Sequence, residues 1–114
     1  MCRKQLEKIF CWKASGELKI FKYRILRMGR EEIYHAAYEI DSMICIYELL
    51  LEMSRKVPDG TLKAGIGFPG LLSFLYDRWM QYPGDSTEDI RGCLEEELMK
   101  ISGDVKNEEG GEAA

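Results

Sequence analysis

At 114 residues the chain has room for one domain and a single modest core, a size at which one core is marginal and association with a partner adds stability. Its 46% hydrophobic and 32% charged residues exclude wholesale disorder, and Glu48 and Glu52 interrupt the richest apolar stretch, so no membrane span is expected. The net charge of −4 conceals a split, because residues 1–30 hold nine Lys/Arg against Glu7 and Glu17 while residues 31–114 hold seven against eighteen Asp/Glu.

Residues 1–27 form a basic segment of different texture from the rest. KIFCWKASGELKIFKYRIL reads as two apolar-rich runs joined by Ala14-Ser15-Gly16-Glu17. A β-hairpin is expected there, with Gly16 supplying the turn and Ile20, Phe21, Tyr23 and Ile25 suited to a pleated surface. The competing reading starts translation at Met28, where charge sign and periodicity both change. Arg30 to Lys56 follows as one helical pattern with no Gly or Pro inside it, roughly 40 Å long at about 1.5 Å per residue. Ile33, Ala36, Ala37, Ile40, Met43, Ile44, Tyr47, Leu50 and Leu51 fall on its expected core face, and Tyr34, Tyr38, Cys45 and Leu49 form a second stripe. A helix apolar on two sides is either central in its fold or shared with a second copy.

Val57-Pro58-Asp59-Gly60 breaks that helix. A short helix over Thr61 to Ile66 comes next, then one opened by Phe68-Pro69 and running to Tyr82, with Leu71, Leu72, Leu75, Tyr76 and Trp79 on one face. Pro83-Gly84 ends it, and Asp85 to Asp89 supplies cap candidates for a last helix to about Ile101, striped by Ile90, Leu94, Leu98 and Ile101. The sequence GDVKNEEGGEAA, residues 103–114, reads as a disordered acidic tail. The expected fold is therefore mainly α: a small helical bundle over 28–102 built on one long helix, with an N-terminal hairpin beside it.

Within 28–101, HAAYEID and FPGLLSFLYDRW give the chain its most distinctive wording. It resembles small uncharacterised helical proteins carried on mobile elements of anaerobic gut bacteria, a likeness that leaves 1–27 unmatched. What the resemblance implies is a bacterial, cytoplasmic accessory protein.

The sites of ordinary catalysis are missing from the pattern. His35 is the single histidine; with Glu31 and Glu39 it makes a polar helix strip, and the Glu-x-x-His unit of di-iron bundles occurs once, at Glu32 to His35. Cys2, Cys11, Cys45 and Cys93 are scattered without metal-ligand or disulfide spacing, which suits reduced thiols in a cytoplasm. Lys63 to Gly70 is glycine-rich but lacks the GK[ST] ending of a phosphate loop, and a helix-turn-helix there would have Arg78 as the sole base of its recognition helix. No enzyme, metal or cofactor is expected.

The reading for function is a non-enzymatic protein that contacts another protein or a second copy of itself, through Tyr34, Tyr38, Leu49 and Phe74. The alternative is nucleic-acid binding by the N-terminal segment, where Lys8, Lys13, Lys19, Lys22, Arg24 and Arg27 interleave with Phe10, Trp12, Phe21 and Tyr23, cations and stacking platforms together, with Lys13, Lys19, Lys22, Arg24, Trp12 and Phe21 as the candidate site. A further alternative has the acids Glu88, Asp89, Glu95, Glu96 and Glu97 occupying a basic nucleic-acid groove of another protein.

Overall fold

A computed structural model describes residues 2–110, with side chains described through residue 103. Six helices follow one another: α1 (Arg3–Leu26), α2 (Arg30–His35), α3 (Ala37–Met53), α4 (Asp59–Ile66), α5 (Leu71–Trp79) and α6 (Thr87–Gly110). Among the described residues there is no strand, and the fold is mainly α.

The expected N-terminal hairpin is instead α1, a helix of 24 residues. Its buried positions, Leu6, Phe10, Ala14, Leu18 and Phe21, recur every three or four residues. That is a helical stripe, and strand alternation cannot place all five on one side. Gly16 takes no left-handed conformation and faces open space, so it makes no turn. The helix is one wall of the bundle, packed against α3, α4 and α5. It comes close to α4 at Gly65, where an added Cβ would lie 2.6 Å from the ring of Phe10.

The expected long helix divides at Ala36, which leaves the α region with φ −89° and ψ 5°. Tyr38 and Ile40 tie α3 to the body, whereas α2 has no buried residue and little holds it on the α3 axis. α3 is the central helix, flanked by α1, α5 and α6. Its buried arc is Ser42, Met43, Ile46, Leu49, Leu50 and Met53. That arc is turned by about one residue step, roughly 100°, from the expected face, so Ile40, Tyr47 and Leu51 are half-buried and Ile44 is exposed. The turn follows from α1, which covers the side of α3 that carries Leu49; the hairpin reading leaves that side either to residues 9–25 or to another chain, and it is residues of α1 that pack there.

The rest matches the pattern more closely. Leu72, Leu75, Trp79, Ile90, Leu94 and Leu98 are buried, as expected, and Tyr76 is half-buried. The first turn of α6 is closed by a capping box: Ser86 Oγ accepts from the Asp89 N–H at 3.2 Å, and Asp89 Oδ2 accepts from Asp85 N–H at 3.1 Å and Ser86 N–H at 3.2 Å. α6 continues past Ile101, the expected end. Of the acidic tail expected over 103–114, residues 103–110 are the end of α6 and residues 111–114 lie outside the described residues.

Candidate nucleic-acid interface

On α1 the face opposite Leu6, Phe10, Ala14, Leu18 and Phe21 carries Lys4, Lys8, Trp12, Lys19, Lys22, Tyr23 and Leu26, spaced so that they line one strip. From Lys4 to Leu26 the strip runs about 33 Å at 1.5 Å per residue. Trp12 is 63% exposed, Tyr23 60% and Leu26 80%, with Ile20 beside them at 68%. Lys8 Nζ lies 4.8 Å over the Trp12 ring, and the Arg27 guanidinium lies 5.6 Å over Tyr23 while donating to its hydroxyl at 2.9 Å. These cation–π contacts hold the two aromatic rings without covering them. Among the described residues none of Lys4, Lys8, Lys19, Lys22 and Arg27 forms an ion pair.

The structure divides the nucleic-acid candidates read from sequence. Trp12, Lys19 and Lys22 lie on the strip. Lys13 does not: its ammonium bonds Glu17 and the Phe68 carbonyl, fastening α1 to the joint before α5. Glu17 Oε1 in turn accepts from the Leu72 N–H at 2.7 Å and caps α5 from a neighbouring helix, since Gly70, left-handed at φ 68°, has no side chain to do so. Phe21 is core, 3% exposed, and Arg24 leans over its ring at 5.6 Å, off the strip and toward the buried side of the helix. Lys8, Tyr23 and Arg27 belong to the basic aromatic segment read from sequence, but a strand reading does not bring them to one face with Trp12 and Lys19, and it leaves out Lys4. A helical count at 100° per residue finds them.

The expected protein contacts fare differently. Leu49 is core, 5% exposed, and so is not available to a partner. Phe74 is half-buried with its ring 4.7 Å from Phe68. Tyr38 is 55% exposed, but its hydroxyl accepts from Trp79 Nε1 at 3.0 Å. Tyr34 remains open, its ring edge-on to His35 on α2. The four do not form one surface.

Nor do the acids of α6 form one free cluster. Glu97 is buried, with Arg78 at 3.3 Å and Lys100 at 3.3 Å, and Asp89 closes the cap, which leaves Glu88, Glu95 and Glu96 outward. Among the described residues no three His, Cys, Asp or Glu side chains gather in a way that could hold a metal ion. Burial pushes the Cys93 and Cys45 thiols up, with nearby carboxylates adding to the shift, so both favour the unreactive thiol form. No helix among the described residues is long and apolar enough to cross a membrane.

Compared with protein-family models, curated proteins and solved structures, the chain matches none.

Proposed function

We propose that the protein binds single-stranded nucleic acid along the outward strip of α1, with the bundle as the support that holds the helix straight. The observation that carries this reading is the coincidence, on one face of α1, of exposed Trp12 and Tyr23 with Lys4, Lys8, Lys19 and Lys22, joined by Arg27 at the helix end, none of these cations having an ion pair among the described residues. Cations meet the phosphates, and the rings offer faces on which bases of any sequence stack. A duplex suits the strip less well. Reading a major groove calls for Arg, Asn or Gln aimed at base edges, and the centre of this strip holds lysines and bulky rings.

Contact with another protein through Tyr34, Tyr38, Leu49 and Phe74 is the weaker reading, because Leu49 is buried and the Tyr38 hydroxyl serves Trp79. Fluorescence anisotropy with labelled single-stranded and duplex DNA and RNA, across a salt series, tests the proposal on the full chain. Single strands should bind and weaken as salt rises, with a slope near −0.7 per phosphate neutralised. Trp12→Ala should weaken them by about 5- to 100-fold, the equivalent of about 1–3 kcal/mol per stacked base. Lys19→Gln with Lys22→Gln should flatten the salt slope by about 1.4. Binding that ignores Trp12, or no binding at all, would sink the reading.

A further inference from the structure

At its N-terminal end the strip of α1 runs into a recess of about 390 Å³ between α1 and the end of α3, lined by Lys4, Glu7, Lys8, Cys11, Ser54 and Arg55, with Leu51 beneath. Farther along the strip Lys19 and Lys22 have no cation from another helix beside them on the recess lining; here Lys4 and Lys8 are joined by Arg55 from the other helix. Among the described residues none of the three forms an ion pair. The one carboxylate in the recess, Glu7, is taken by Arg3 Nε at 2.7 Å, and Arg3 is itself anchored on the Ser54 carbonyl and Asp59. The floor is neutral: Ser54 Oγ donates to the Leu51 carbonyl and lies 3.5 Å from the Cys11 thiol. Lys8 also lines the adjoining recess with Gln5, Ile9 and Trp12, so the two open onto each other across one side chain.

We infer that this recess takes the terminal phosphomonoester of a nucleic-acid strand whose first bases lie on Trp12. The inference rests on the strand-binding reading above and adds an end to it. An internal phosphodiester carries one charge and suits a single lysine. A terminal monoester carries about −1.5 to −2 at neutral pH and three acceptor oxygens, which suits three convergent cations, one of them a forked guanidinium. Beyond the recess the track stops, because Arg3 and its carboxylate partners close that end of α1.

The test is competition against a labelled strand by three unlabelled oligonucleotides of one sequence, carrying a 5′-phosphate, a 3′-phosphate or neither, on the full chain. A terminal phosphate should tighten binding about tenfold, and a gain confined to one end sets the polarity of the strand. Arg55→Gln should abolish that gain while leaving the unphosphorylated strand bound as before, and Lys63→Gln, an exposed cation on α4, should change neither. Equal affinity for all three strands, or a gain that survives Arg55→Gln, overturns end recognition and leaves strand binding standing. If no strand binds, the strand-binding reading falls and end recognition falls with it.

Discussion

Helices α1 and α6 are both 24 residues long, and both bury an apolar stripe in the same core. Their outward faces differ. α6 shows Glu88, Glu95 and Glu96, and spends Arg91 on Glu52 and Glu97 on Arg78 and Lys100; Met99 is its one large exposed apolar side chain among the described residues. Among the described residues α1 leaves Lys4, Lys8, Lys19, Lys22 and Arg24 without an ion pair, Arg27 just after it likewise, and α1 adds four exposed large apolar residues. A solvated helix face has no need of Trp12, Ile20, Tyr23 and Leu26 together, and a contiguous exposed apolar set marks a contact surface. The core fixes only the stripe that each helix buries. Residues opposite the stripe are free of that demand, and on α1 they are the ones suited to binding.

The sharpest way to break this comparison is to load the two faces of α1 separately. Phe10→Ala removes a side chain that is 2% exposed and fills the notch over Gly65, and should cost about 3–5 kcal/mol in urea unfolding. Trp12→Ala, two residues on, should stay within about 0.5 kcal/mol of the native stability, whatever it does to binding. Equal costs for the two would mean that α1 is not held by the stripe described here.

The same division explains what was legible from sequence. Helices α4, α5 and α6 were readable because Pro58, Pro69 and Pro83-Gly84 punctuate them and their stripes face one core. α1 was not, because both of its faces carry aromatics and isoleucines: with Trp12, Ile20 and Tyr23 outward and Phe10, Leu18 and Phe21 inward, the apolar residues form no single stripe. Short apolar runs then look like strands, and Gly16 looks like a turn. That one error moved the others. Without α1 as a helical wall, the second stripe of α3 can be assigned either to residues 9–25 or to another chain; choosing the other chain puts buried Leu49 on a contact surface, and the shifted face omits Ile46, which is fully buried. The candidate site is half legible: composition finds Lys8, Trp12, Lys19, Lys22, Tyr23 and Arg27, and the face that joins them, with Lys4, requires the helix.

A smaller effect separates tyrosines that look alike in sequence. Tyr38→Phe removes the acceptor of the Trp79 indole N–H, a donor on a side chain that is 2% exposed, and should cost about 1–3 kcal/mol. Tyr34→Phe, on α2, should cost nothing measurable, because among the described residues its hydroxyl has no hydrogen bond. Thermal unfolding of the two variants side by side decides it. A loss in both would place Tyr34 in packing not described here, and a loss in neither would return Tyr38 to the pool of contact residues.

The smallest effect lies in the response to acid, and it belongs to α6 and not to α1. The N–H groups of Ser86 and Asp85, with the Ser86 hydroxyl, hold the Asp89 carboxyl below its ordinary value of 3.8. A carboxylate whose folded pKa is depressed stabilises the fold at pH values above its unfolded pKa. That stabilisation is lost as pH falls through the folded pKa. Unfolding midpoints measured from about pH 5 downward should therefore fall less steeply in Asp89→Asn than in the native chain, with the variant already less stable at neutral pH because the charged cap is gone. Glu52, held low by the Arg91 guanidinium, contributes to the same limb and would remain in the variant. Among the described residues Lys19 and Lys22 pair with no carboxylate, so Lys19→Gln with Lys22→Gln should leave the acid limb unchanged. If it shifted as Asp89→Asn does, the strip would be coupled to the carboxylates of the fold, and its cations would not be free for a strand.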